Sequence, residues 1–186
     1  MHRVLWKRLD QEGHDACQFA HAVDGWMIEG AAVFEHDGQA ANLSYRLLCD
    51  REWTSMRATV AGWIGKSDFQ LNIERDGDNG WCINGNKSQS LNGLKDIDLG
   101  FTPASNTNAI RRLSLCEGDE AESVAVWLDT NDWTVKPLRQ SYRRTESNAF
   151  DYASPQHDYR ATLTVDDFGA VTEYPELWVM LYHDKA

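Results

Sequence analysis

The sequence predicts a mainly β fold, a single curled antiparallel sheet forming a β-roll or open barrel. Three observations predict it: apolar and polar side chains alternate with period two, glycine-bearing turns separate those runs, and helical pattern is scarce. Taking the runs in order, Leu43, Tyr45 and Leu47 alternate with Asn42, Ser44 and Arg46. Phe69, Leu71 and Ile73 alternate with Gln70, Asn72 and Glu74, and Tyr159, Ala161, Leu163 and Val165 alternate with Arg160, Thr162 and Thr164. Asp37-Gly38, Asp76-Gly77, Asn79-Gly80, Gly118-Asp119 and Phe168-Gly169 supply the positive φ angles of tight hairpins, so consecutive strands should pair antiparallel. Short helical turns are expected only around Asn106 and from Ser154 to Asp158. One long sheet must curl or close to protect its edges, which gives a roll or barrel with a concave face. Lipocalin-like barrels and sandwiches share this signal.

The 186 residues form one domain, 1–186, long enough for a single substantial core. A formal net charge of -11 and a pI near 4.9 argue against nucleic acid or an anionic membrane surface as the main partner, because the long-range field repels both. The start, MHRVLWKRLDQEG, has no apolar h-region, and nowhere do 18 apolar residues run together, so a cytoplasmic protein without stable membrane insertion is expected. Cys17, Cys49, Cys82 and Cys116 are spaced 32, 33 and 34 residues apart, with no CxxC pair. They are expected to be reduced and buried, with no metal and no cofactor.

Chemistry-bearing side chains crowd the segment Asp96 to Leu115, DIDLGFTPASNTNAIRRLSL. It reads as strand, turn-rich link and second strand. Asp96 and Asp98 then share one face, while Arg111 and Arg112, adjacent in Ile110-Arg111-Arg112-Leu113, point to opposite faces. The inward arginine needs a partner, and Asp98 with Arg111 or Arg112 is expected either as a structural ion-pair network or as a head-group site for phosphate, sulfate or carboxylate. A glycosidase pair is disfavoured: Asp96 and Asp98 would be roughly 6 to 7 Å apart on one strand, and neighbours there do not approach a sugar from opposite sides.

DIDLGFTPASNT followed by IRRL closely resembles the signature of the bacterial family known as "putative glycolipid-binding" proteins. The resemblance extends through GWMIEGAAVFEHDG at Gly25 to Gly38, YRLLCDREWTSMRATVAGW at Tyr45 to Trp63, and SPQHDYRATLTVDDFGAVTEYPELW at Ser154 to Trp178. What the resemblance implies is a β-roll or open barrel similar to the periplasmic lipoprotein-localisation factors, with glycolipid binding. It carries over no catalytic residues, and the localisation factors' role is not expected to transfer with their fold, since the start MHRVLWKRLDQEG does not read as an export signal.

Eight tryptophans are a high count, and indoles suit both a large β-core and a sugar or acyl-chain pocket. Trp63 and Trp81 are the expected pocket walls. Tyr142, in Gln140-Ser141-Tyr142-Arg143-Arg144, reads either as surface scatter or as an anion cradle beside two arginines. Ile64-Gly65-Lys66-Ser67 mimics the tail of a P-loop, yet Val60 stands where the first glycine belongs and the context is strand-turn-strand. His157 sits in a polar cluster without HExxH or GxSxG, and reads as structural or solvated.

The leading expectation is therefore non-catalytic binding of an amphipathic ligand, a glycolipid or related lipid, in the concave face. Tryptophans would meet its apolar part and Arg111, Asp98 and Asn106 would lie near its head, with Asp96, Arg112 and Tyr142 as further ligand-binding candidates. A sugar- or lipid-modifying enzyme is the alternative, favoured by a pocket that gathers His157 with a carboxylate and an activated hydroxyl. A protein-interaction module pairing through an open sheet edge is the other.

Overall fold

The computed structural model describes residues 1–77 and 79–184. They form strands β1 (His2–Arg8), β2 (Gly13–Ala22), β3 (Gly25–His36), β4 (Gln39–Asp50), β5 (Ser55–Ile64), β6 (Ser67–Asp76), β7 (Gly80–Ile83) and β8 (Asn86–Lys87). Then come β9 (Asp96–Leu99), helix α1 (Ala104–Leu113), β10 (Glu120–Asp129), β11 (Thr134–Glu146), β12 (Ala149–Ser154), β13 (Tyr159–Val165), β14 (Val171–Tyr174) and β15 (Trp178–His183). Single 3₁₀ turns lie at Gln89–Leu91 and Pro155–His157, the second inside the Ser154 to Asp158 stretch where a helical turn is expected.

All fifteen strands belong to one sheet in the order β8-β7-β6-β5-β4-β3-β2-β1-β15-β14-β13-β12-β11-β10-β9. Two meanders thus run outward from a central β1–β15 pair, and the sheet is strongly curled but does not close into a barrel. Alternation places the core as the sequence indicates: Ala41, Leu43, Tyr45, Leu47 and Cys49 of β4 are all buried, with polar Asn42, Ser44 and Arg46 between them. The P-loop mimic is the β5–β6 hairpin, turned at Gly65 (φ 59°). The cysteines are free. Cys17 and Cys49 are buried as expected, but Cys82 is only half-buried and Cys116, beyond the last turn of α1, is exposed.

The edges are managed by shortness and by a hydroxyl. Strand β8 has two residues and β9 four. Across the gap between β9 and β5, Ser55 N donates to Lys95 O (2.9 Å) and Ile97 N donates to Ser55 Oγ (3.0 Å), so one residue of β5 satisfies backbone groups of an edge strand.

Ile110 to Leu113 is not a second strand; it is the last turn of α1, which also takes in the Asn106 turn. The reason is topological. β9 pairs with β10 in parallel, whereas every other pairing is antiparallel among the described residues. Parallel neighbours need a crossover long enough to bring the chain back to the starting end, and a helix supplies it. Thr102 Oγ1 accepts from Ala104 N (3.0 Å) at the helix start, and Ser114, in the left-handed region at φ 47°, ends it with its N donating to Ile110 O. Arg111 and Arg112 stand in the last turn, where the helix dipole favours cations. Ala104 through Ile110 are all buried, so α1 lies inside the roll although Ser105-Asn106-Thr107-Asn108 is polar.

Candidate functional site

Burying a polar helix inside a β-roll leaves its side chains facing the opposite wall, and on one side a pocket of about 240 Å³ separates the two. Strand pairing builds the far wall. Tyr142 of β11 lies opposite Tyr152 of β12, Ser154 follows two residues on and shares the inward face, and Tyr174 of β14 lies opposite Trp178 of β15. Tyr152 packs against Tyr142 (ring centroids 5.1 Å) and Tyr174 (5.7 Å), and Tyr159 against Tyr174 (5.8 Å). Asp98, Pro103 and Asn106 line the near side, together with Trp127, against which the exposed ring of His157 rests at 5.0 Å. The volume is below the roughly 300–1,000 Å³ of sites for drug-sized ligands; it suits one ring or head group.

The polar groups around this space are held in place. Asp98 accepts from Ser105 Oγ (3.1 Å) and Gln140 Nε2 (2.6 Å), yet burial pushes its carboxyl up to about 6 against those bonds. Gln140 Nε2 also donates to Tyr152 OH (3.0 Å), and Asn106 Nδ2 donates to Tyr142 OH (3.1 Å). Burial keeps the Tyr142 and Tyr174 phenols well above their ordinary range, so they stay neutral donors. Ser154 Oγ is buried and has no hydrogen-bond partner among the described residues. A buried hydroxyl left unmade carries a desolvation cost of about 1–3 kcal/mol.

The helix start is braced from behind. Asp15 of β2, fully buried, accepts from Tyr45 OH (2.7 Å) and from the Thr102 hydroxyl, and Thr102 in turn accepts from Ala104 N at the start of α1. Tyr45 reaches Asp15 by lying over Gly30, where an added Cβ would stand 2.5 Å from the phenol oxygen. Burial pushes Asp15 up to about 6, with the Thr102 and Tyr45 bonds pulling the other way.

Of the residues expected from sequence, Asp98 and Asn106 line this pocket and Tyr142 stands directly behind Asn106. Tyr142 is neither surface scatter nor an anion cradle: strand alternation turns it inward, 1% exposed, and Arg143 outward. Asp96 is spoken for by Arg112, whose Nε and Nη2 donate to its two oxygens at 2.7 and 2.5 Å, with Ser123 as a further donor. Arg111 pairs with neither aspartate. Its guanidinium lies over Phe168 (4.9 Å) and Trp53 (5.1 Å) and donates to Phe168 O (2.7 Å). That places it in a separate cavity of about 470 Å³, also lined by Arg144, Asp166 and Asp167. Neither tryptophan singled out from sequence lines the helix pocket. Trp81 is core, with Nε1 donating to Leu94 O (3.1 Å), and Trp63 is 40% exposed on β5. Trp127, Trp178, Tyr152, Tyr159, Tyr174 and Ser154 were missed as a set. The one available signal was the Tyr152-x-Ser154 spacing, which fixes a shared face but not which strand it confronts.

No helix among the described residues is long and apolar enough to cross a membrane. A family model described as "Putative glycolipid-binding" matches residues 3–179. Among solved structures, a DUF1089 family protein from Pseudomonas aeruginosa is similar, with a TM-score of 0.77 and 28% identity over 88% of this chain and 90% of that one. No curated protein matches. A family match from the third residue to the last strand but a few residues, on a roll shared with a solved relative, shows that the chain belongs to the "putative glycolipid-binding" family.

Proposed function

We propose that the protein binds, without catalysis, the polar head of an amphipathic glycolipid-type ligand in the pocket between α1 and the tyrosine wall. The carrying observation is the buried, unpartnered Ser154 hydroxyl set among aromatic faces. A pyranose offers C–H faces that pack on tyrosine and indole rings and an edge of hydroxyls that both donate and accept. Asp98 and Asn106 would take that edge opposite Ser154. The polar helix makes sense in this reading, since it presents short hydrogen-bonding side chains where a lipid-only cavity would want aliphatic ones. Native mass spectrometry of protein purified from its own source, followed by organic extraction, tests it: a sugar-bearing lipid at one per chain is expected. Extraction that yields no lipid, together with failure to bind added glycolipid, contradicts it.

One observation favours the enzymatic reading. The same pocket gathers His157, a carboxylate raised to about 6 and a hydroxyl, the three groups that reading requires. The hydrogen bonds run elsewhere, however: Asp98 is held by Ser105 and Gln140, and none joins His157 to Ser154 or Asp98 among the described residues. Turnover of nitrophenyl glycosides or esters that disappears in Asp98→Asn would establish catalysis.

A further inference from the structure

Where the two ends of the sheet's central pair meet the β13–β14 turn, two imidazoles and a carboxylate converge. His2 is the first residue of β1, His183 the last of β15, and Asp166 follows β13. Their ligand atoms all lie within 4.8 Å of one another. His2 Nε2 stands 2.7 Å and His183 Nδ1 3.7 Å from Asp166 Oδ2.

We propose that His2, Asp166 and His183 form a binding site for a divalent transition-metal ion of the zinc type. Two imidazole nitrogens and one carboxylate oxygen are a donor set that such ions take, three protein ligands leaving a further position for water or a ligand atom. Bonds of about 2.0–2.1 Å at tetrahedral angles put donor atoms roughly 3.3 Å apart, and the two distances to Asp166 Oδ2 bracket that value. The third separation, between the two histidine nitrogens, is within 4.8 Å.

The surroundings orient these groups as outer-shell contacts orient metal ligands. Phe168 N (3.0 Å) and Ala170 N (2.8 Å) both donate to Asp166 Oδ1, which aims Oδ2 at the two histidines. The His2 ring stacks on Phe168, centroids 4.9 Å apart, and His183 meets it edge-on at 5.9 Å. Asp166 has 9% of its side chain exposed and His2 14%, so the site is sheltered, while His183, 41% exposed, provides access. Asp166 and Phe168 also line the 470 Å³ cavity. Sequence spacing gives no sign of the cluster, because its members are brought together from the chain's two ends only by the β1–β15 pairing.

A plain His2–Asp166 ion pair tying the strand to the turn is the competing account, and zinc titration of the full chain separates the two. Zinc(II) in competition with a chromophoric chelator should bind at one per chain, and cobalt(II) should give d–d bands of a low-coordinate nitrogen–oxygen site. His183→Ala, at an exposed position, should fold normally, weaken zinc at least tenfold and abolish the zinc-dependent rise in melting temperature. Zinc that fails to reach one per chain, a cobalt spectrum like that of the hexaaquo ion, or unchanged affinity in a folded His183→Ala would overturn the site. The cobalt spectrum of the parent protein keeps the test decisive should the variant misfold.

Discussion

Asp15 and Arg112 show how much a single buried charge decides here. Because Asp15 is raised to about 6, the folded protein holds a proton that the unfolded chain has released above about 4. Its contribution is therefore full below the unfolded value and is lost as pH rises toward 6, a change of about 3 kcal/mol at 1.36 kcal/mol per unit. Asp15→Asn should remove that loss, so its melting temperature relative to the parent should climb by several degrees between pH 4 and pH 7; parallel melting curves would contradict the assignment. Arg112→Met leaves Asp96 buried without its cation and should cost about 3–5 kcal/mol in urea unfolding, whereas an effect below 1 kcal/mol would mean that Asp96 readily finds another partner. At this scale the sequence told part of the story. Asp96 and Asp98 do share a face of β9, but their partners depended on whether Arg111 and Arg112 sat on a strand or a helix. On α1 the two arginines diverge around the helix, and Arg112 reaches Asp96 while Arg111 meets Trp53 and Phe168.

The crossover β9–α1–β10 is the element on which the site depends. Strands such as β4 and β6 were legible because half-burial imposes period two on their side chains. Helix α1 was not, because Ser105-Asn106-Thr107-Asn108, short polar residues just after Pro103, has poor intrinsic helix propensity and reads as a turn. Tertiary contacts hold it instead. The Asn108 amide and the Ser55 hydroxyl meet at 3.2 Å, and the same hydroxyl accepts from Ile97 N. Ser55→Ala should thus cost about 1–3 kcal/mol by leaving buried groups unpaired, with faster hydrogen exchange at the Ile97 amide. An Ile97 amide that exchanges as slowly as in the parent would show that Ser55 does not guard the β9 edge.

Across the whole molecule, two meanders joined at β1–β15 wrap a sheet around one polar helix, and curvature brings the tyrosines of β11 to β14 to face it. Curling was predictable from sheet length and edge protection, and the family resemblance pointed to the same roll. Which wall confronts the helix was not predictable, since it follows from the joining of the two terminal strands at the sheet's centre. The claim that matters most is our proposal that this aromatic-lined pocket beside α1 receives a sugar-bearing head group. Titration with monomeric octyl β-D-glucoside, followed by tryptophan fluorescence and calorimetry, addresses it through Trp127 and Trp178, which line the pocket. Saturable one-to-one binding is predicted for the parent protein. Ser154→Ala, which deletes an unpartnered buried hydroxyl, should melt no lower than the parent yet bind roughly two- to tenfold more weakly, the worth of one neutral hydrogen bond. Absence of saturable binding, or equal affinity in a folded Ser154→Ala, would contradict the account.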